Sequence, residues 1–303
     1  SCVGQRVRLT GWLHSLRQLG GITFIVLRDG WGTLQAVTED AADLEPLTGL
    51  ALESVIALEG LVVAAPQVAA GVELHQPPIT ITTPNHEAPP IPLHKAAIKA
   101  SLPVLLDHAV VANRHPQRQA IFRLSAAAMG GFRATLQARH FTEVQTPKIV
   151  ASATESGANV FKLDYFGRPA FLAQSPQFYK QIMVGVFGGV YEVGPVFRAE
   201  PHDTVRHINE YSSLDVEFGF IENHFTVMAL VRDVLAGIFG ELAAGCGGGV
   251  GVLAPPFPIV PAANPPIHFA AAQELILQRH GVDVRGEPDL SPQDERWLGE
   301  WAQ

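Results

Sequence analysis

The segment Phe197-Arg198-Ala199-Glu200 is followed, after a polar stretch, by Arg206-His207, by Tyr211, and then by Leu214-Asp215-Val216-Glu217. The apolar runs on either side read as antiparallel strands joined by a polar loop. Arg198 then projects from a strand end, where a guanidinium can hold a phosphate bidentately. Arg206 and His207 lie in or beside the loop, within reach of the outer phosphates of a nucleotide, and Tyr211 offers a face for a base. One arginine on a strand is as often half of an ion pair. Four such residues on one hairpin point instead to an anion site with an aromatic platform, which is the chemistry of nucleotide binding.

Elements that would position this hairpin can be read on either side of it. Strand-like runs recur at Ala170–Ala173, Val190–Phe197 and Tyr211–Phe220. Pro116 suits a first helical position, and Ile121, Leu124, Ala128, Phe132 and Leu136 follow at helical spacing. Phe141–Val144 and Thr146-Pro147 end that helix in an extended segment, and a second helix spans His224 to Leu242. Gly245–Gly251 and the proline-rich 254–266 read as loop. This order fits an α+β fold, an antiparallel sheet flanked by helices, better than alternating βαβ units.

Residues 3–82 differ in character. Short strands are expected at Val7–Leu13, Ile22–Asp29, Thr33–Val37, Ser54–Val63, and Val72–Leu74 with Ile79–Thr82, with a turn at Asp29-Gly30-Trp31-Gly32. About five short strands in so few residues suggest a small closed barrel of the OB type, though strand number alone does not separate it from other small barrels. Pro84, Pro89, Pro90, Pro92 and Pro103 then mark a linker or hinge. The expected organisation is a barrel over 1–83, a proline-rich hinge over 84–106 and a second domain over 107–303.

Bulk properties narrow the classes. Apolar residues at 47% and charged residues at 17% exclude a disordered, collagen-like or coiled-coil chain. Cys2 and Cys246, far apart, make a disulfide framework or Cys-rich zinc site unexpected and fit a reducing cytosol. No apolar run is long enough for a membrane span, and Ser1-Cys2-Val3-Gly4-Gln5-Arg6 is no signal peptide, so a cytoplasmic location and no membrane partner are expected. A net charge of -8 argues against a nucleic-acid partner, because phosphate binding rests on Lys and Arg. That sum hides a gradient: residues 1–100 carry -3, 101–200 carry +4 and 201–303 carry -9.

Phe-Arg-x-Glu followed by Arg-His-x-x-Glu resembles the second sequence motif of class II aminoacyl-tRNA synthetases. Gly131-Phe132-Arg133 through Phe141-Thr142-Glu143-Val144-Gln145-Thr146-Pro147 is similar to their first motif, which forms a homodimer interface. Gln174-Ser175-Pro176-Gln177-Phe178-Tyr179-Lys180-Gln181 resembles the signature of the aspartyl branch, and the Arg-His-x-Asn-Glu loop is closest to its archaeal-type members. The resemblance implies an N-terminal OB-fold anticodon-binding barrel plus a class II catalytic domain with an antiparallel sheet. It implies ATP and Mg²⁺ as cofactors, L-aspartate as amino acid and tRNA-Asp as acceptor.

Site roles follow from the same resemblance. Glu155, Ser175, Gln177, Lys180, Arg198 and Asp215 would form the aspartate pocket. Lys180 would meet the side-chain carboxylate, Asp215 the α-ammonium, and Glu155 would sit on a loop closing over the amino acid. Arg198, Glu200, Arg206, His207 and Tyr211 would hold ATP, with Arg198 bridging carboxylate and α-phosphate. Arg17, Phe24, Gln35 and Glu73 would contact the anticodon, with Phe24 stacking on its middle base. His14, Pro66 and Gln67 fall where relaxed and strict members differ. They imply a non-discriminating enzyme that also charges tRNA-Asn, which invites an Asp-tRNA amidotransferase as partner. Lys180 disfavours an asparaginyl synthetase.

Two departures accompany the resemblance. The family's basic stretch before its first motif reads here His108-Ala109-Val110-Val111-Ala112-Asn113-Arg114, and no Gly-x-Gly-x-x-Arg third motif follows Ile221. No metal ligands are therefore assigned in this chain. The resemblance then implies a catalytic synthetase truncated before its third motif, with the C-terminal part of the catalytic domain missing from this chain; the competing reading is a tRNA-binding paralogue without adenylation, against which the retained aspartate-pocket residues weigh.

Overall fold

The computed structural model describes residues 2–154, 159–201, 204, 207–245, 260–261 and 266–302. Six strands build the N-terminal barrel: β1 (Arg6–Leu19), β2 (Ile22–Arg28), β3 (Thr33–Thr38), β4 (Val55–Ala64), β5 (Val72–His75) and β6 (Ile79–Thr83). They run in the order β1-β2-β3-β5-β4-β6, and β1 also pairs with β4, which closes the sheet on itself. β1 is twice the expected length. An irregularity between Leu13 and Ser15 lets its first half pair with β4 and its second half with β2, so one strand turns the barrel corner. Leu13, Ile25, Leu27, Ala36, Ile56, Leu58 and Leu74 alternate inward and fill the core. Gly60 is required by close approach, since a Cβ there would meet the His75 carbonyl oxygen at 2.7 Å.

The proline-rich segment is more than a tether. Ile91 and Leu93 pack with Ala112 into a small core of their own, joined by Ile98, Leu105 and Val111. Two short helices, α1 (Leu102–Asp107) and α2 (Ala109–Ala112), supply part of it. The divergent stretch before the first motif thus contributes packing, and its last residue, Arg114, reaches the barrel. Arg114 Nη1 and Arg28 Nη2 both bind Glu53 Oε2, at 2.9 and 2.7 Å. Arg28 Nη1 donates to the Arg114 carbonyl at 2.9 Å. Both guanidinium groups lie against the Trp12 ring, 5.2 and 6.0 Å from its centre.

Helix α3 (Pro116–Gln137) starts where His115 caps it, accepting from the Gln117 amide, while the other ring nitrogen contacts the Lys95 carbonyl at 2.8 Å. The chain continues through β7 (Thr142–Glu143), β8 (Ile149–Val150), β9 (Lys162–Tyr165), β10 (Arg168–Leu172), α4 (Gln177–Phe187), β11 (Gly189–Phe197), β12 (Glu210–Phe218), α5 (His224–Gly245), α6 (Phe269–His280) and α7 (Pro292–Ala302). β12 and β7 flank β11, antiparallel and parallel respectively, and β8-β10-β9 form a second small sheet. Phe132 and Leu136 of α3, Leu230 and Val234 of α5, and Tyr191 and Val193 of β11 share one core. α3 and α5 cross closely: a Cβ on Gly131 would meet the Gly237 carbonyl oxygen at 2.7 Å. The N-terminal half of α3 departs from the expected buried stripe, because Ile121 and Phe122 are 47% and 58% exposed. The expected glycine- and proline-rich loops fall largely outside the described residues.

Candidate active site

Strand alternation divides the β11–β12 hairpin into two faces. Tyr191 and Val193 point to the helices, so Glu192 and Gly194 point the other way. Glu192 stands opposite Asp215 in register, and Val190 opposite Glu217. The face away from the helices therefore carries three carboxylates in a patch. Two lysines answer them. Lys180 of α4, only 4% exposed, places Nζ 2.9 Å from Asp215 Oδ1 and 3.7 Å from Glu217 Oε2. Lys148 Nζ lies 2.7 Å from Glu192 Oε1, and Glu192, at 1% exposure, also accepts from the Thr146 amide and hydroxyl. Burying an ammonium group is costly unless carboxylates face it, as they do here.

Local structure explains how α4 delivers Lys180. The Thr154 hydroxyl accepts from the amides of Gln174 and Ser175, at 3.1 and 3.2 Å, and pins the chain entering the helix. Ser175 Oγ accepts from the Gln177 amide at 3.3 Å, so this hydroxyl orders the helix start. Gln177 Nε2 donates to Glu217 Oε2 at 3.3 Å. Gln177, Lys180, Asp215 and Glu217 thus form one hydrogen-bonded group.

At the open end of the hairpin, Arg198, Glu200, His207, Ile208 and Tyr211 line a cavity of about 470 Å³. The Arg198 amide donates to the Asn209 carbonyl at 2.9 Å, and the Asn209 side-chain amide, oriented to satisfy both ends, donates to the Arg198 and Glu200 carbonyls. His207 Nδ1 lies 2.7 Å from Thr204 Oγ1. Four of the five residues expected to hold a nucleotide therefore share one cavity. The fifth, Arg206, and the expected lid residue Glu155 lie outside the described residues. Among the described residues, no group of three or more His, Cys, Asp or Glu converges as metal donors.

The barrel presents a separate group. Arg17, Phe24, Gln35 and Glu73 all face outward, opposite in parity to the core residues. The Arg17 guanidinium lies 5.4 Å from the Phe24 ring centre, and Gln35 Nε2 donates to Glu73 Oε2 at 3.1 Å. His14 is not part of this group. It sits at the β1 irregularity, half-buried, where desolvation and then the nearby Arg28 charge lower its pKa. Pro66 and Gln67 are exposed in the β4–β5 turn.

Sequence reasoning missed the partners of these residues more than the residues themselves. Glu217, and His75 whose Nε2 lies 2.8 Å from Glu73 Oε1, each follow an expected residue by two positions in a strand, so alternation alone could have flagged them. Ile208 in the cavity and the Lys148–Glu192 pair, 44 residues apart, left no local signal.

Residues 101–302 match the family of class II tRNA synthetases (D, K and N), and residues 7–81 match an OB-fold nucleic acid binding domain. The chain is 42% identical over 297 residues to an aspartate–tRNA(Asp/Asn) ligase of Deinococcus radiodurans, covering 98% of this chain and 67% of that protein. A ligase of the same name from Aeropyrum pernix is 41% identical, covering all of this chain and 69% of the relative. Among solved structures, asparaginyl-tRNA synthetase from Pyrococcus horikoshii complexed with asparaginyl-adenylate superposes with a TM-score of 0.82 at 29% identity, over 99% of this chain and 70% of that one. The two matched regions coincide with the barrel and with the hairpin-bearing part, and on that agreement this chain belongs to the class II tRNA synthetases of the D, K and N group.

Proposed function

We propose that this protein activates L-aspartate with ATP and passes the aspartyl group to tRNA-Asp and tRNA-Asn. The observation that carries the amino-acid choice is buried Lys180 beside Asp215. Lys180 and Asp215 pair with each other across this face. A substrate with a side-chain carboxylate and an α-ammonium offers each of them a complement, Lys180 taking the side-chain carboxylate and Asp215 the ammonium. Asparagine would leave Lys180 without that anion, and a polar mismatch in a buried site supports about 10⁴-fold rejection. Glu217 holds Gln177 and Lys180 in place for this exchange.

Chemistry follows from position. An oxygen of the aspartate α-carboxylate attacks the α-phosphorus of ATP, the new O–P bond forms, and the bond to the β-phosphate bridging oxygen breaks to release pyrophosphate. Arg198, which lines the cavity, would balance charge on both reacting groups. His207 and Arg206 would bind the outer phosphates, Tyr211 would stack under adenine, Glu200 would meet its edge, and Glu155 would close over the amino acid. The ribose at the tRNA 3′ end then takes the aspartyl group and AMP departs. Mg²⁺ belongs to this reading as a companion of ATP, but the described residues give it no protein cage, and no step above runs through it.

The wider reading keeps a homodimer through the first motif, supported by the exposed apolar Ile121, Phe122 and Ile149. Relaxed tRNA choice, a cytoplasmic location and an Asp-tRNA amidotransferase complete it. The three-part division at 83–84 and 106–107 belongs to the same reading; strand β6 ends at Thr83, while α1 and the hinge core run across 106–107. Lys180→Ala is expected to abolish aspartate-dependent pyrophosphate exchange while ATP binding, read by equilibrium dialysis, survives. Undiminished exchange in that variant would overturn the assignment.

A further inference from the structure

Of the three carboxylates on the hairpin face, Asp215 and Glu217 have roles in the reading above and Glu192 has none. Glu192 is buried and stands directly opposite Asp215 in register. Residues opposed in this way bring their Cβ atoms to within about 5.5 Å, and like charges so placed repel. Each carboxylate has its own ammonium. Lys180 Nζ lies 2.9 Å from Asp215 Oδ1, and Lys148 Nζ lies 2.7 Å from Glu192 Oε1. Lys148 belongs to the segment between β7 and β8, and its carbonyl accepts from the Ala173 amide at 2.9 Å. Thr146 completes the group. It donates to Glu192 through its amide and its hydroxyl, and its Oγ1 accepts from Lys148 Nζ at 3.2 Å. A Cβ on Gly194 would stand 3.6 Å from Lys148 Nζ, so this ammonium lies over the face that carries Asp215. Two cations therefore occupy the face where the ammonium of a substrate must find its anion.

We propose that Glu192 is a positioning residue for substrate choice: by holding Lys148 it leaves Asp215 to the α-ammonium, and the pocket then selects an amino acid over the dicarboxylate that lacks the amino group. This rests on the aspartate reading given above and deepens it. In that reading Lys180 meets the side-chain carboxylate of the substrate, but Lys148 has no substrate partner. Left unmatched, the Lys148 charge would compete with the α-ammonium for Asp215, and charges act strongly on a face shielded from water. Glu192 cancels that charge, and the two hydrogen bonds from Thr146 keep its carboxylate turned toward Lys148. Succinate carries the two carboxylates of aspartate and no ammonium. Asp215 offers it only a like charge. The margin by which aspartate binds better than succinate therefore measures how fully Asp215 acts as an anion, and Glu192 sets that margin through Lys148.

The test uses the whole chain and equilibrium dialysis with labelled L-aspartate, succinate and ATP, each alone. The unaltered protein should prefer aspartate to succinate by about a hundredfold or more. Glu192→Gln keeps the shape of the side chain and an acceptor for Thr146 but frees the Lys148 charge. It should cut that preference about tenfold and hold ATP binding within about twofold. Thr146→Val, which removes one hydrogen bond from Glu192, should shift the preference the same way by less. Combining Lys148→Met with Glu192→Gln removes both charges and should return the preference to within about threefold of its original value, which a merely structural defect would not do. An unchanged preference in Glu192→Gln, or an equal loss in the single and double variants, would overturn the proposal while the aspartate pocket stands. If the unaltered protein does not prefer aspartate to succinate, the pocket reading falls, and the proposal falls with it.

Discussion

Lys148 and Glu192 show how much of the candidate site depends on groups that need never touch substrate. Glu192 is buried directly across the sheet from Asp215, and Lys148 supplies its counter-charge. Removing the ammonium would leave a carboxylate in low dielectric beside a second one. Lys148→Met is therefore expected to destabilise the fold by about 3–5 kcal/mol, the range for breaking a buried pair from one side. Urea unfolding of the variant checks this, and a double variant with Glu192→Gln should recover part of the loss. Arg198, Lys180 and Asp215 were legible in the sequence because they sit in contiguous motifs. This pair was not, because nothing in residues 148 and 192 themselves reveals that strand pairing brings them together.

At the level of elements, the hairpin is held from behind by helices. α3 and α5 approach until Gly131 faces the backbone of Gly237 and Ile238, and Thr135 Oγ1 donates to the Gly131 carbonyl. Gly131→Ala would push a methyl group into that backbone, and overpacking of this kind costs about 1–3 kcal/mol. A lower melting temperature is the expected result, together with weaker nucleotide binding, because Tyr191 and Val193 of the site strand rest on these helices. Gly194→Ala gives a contrast. Its Cβ would come 3.1 Å from Glu192 Oε1 and 3.5 Å from Lys148 Cε, disturbing the carboxylate patch rather than the helices. The outcome should be weakened aspartate dependence in pyrophosphate exchange with little change in melting temperature. Helices α3 and α5 and most of the longer strands were readable from periodicity, whereas α1, α2, α4, α6 and α7 were not. The length of β1 was not, since a strand that turns a corner keeps its alternation on both sides of the irregularity.

For the molecule as a whole, the seam between barrel and hinge matters most. Glu53 holds a positive φ of 71° and joins Arg28 of the barrel to Arg114 at the entry to α3. Glu53→Gln is expected to weaken both pairs and to split thermal unfolding into two transitions by calorimetry, the barrel melting separately. A single unchanged transition would show that the hinge core couples the parts by itself. Composition could not expose this seam. Prolines advertised a linker, but Ile91 and Leu93 fold it into a packed joint, and the pairing of residues 28, 53 and 114 is visible only in three dimensions.

That seam also responds to ionic strength unlike the rest of the surface. The side chains of Arg28 and Glu53 are 4% and 5% exposed and that of Arg114 is 35%, so dissolved ions reach this cluster only from the Arg114 side. Arg17 lies in the open, where screening acts over about 8 Å at physiological salt. Raising the salt concentration should therefore strip bound nucleic acid from the barrel well before it loosens the barrel from the body.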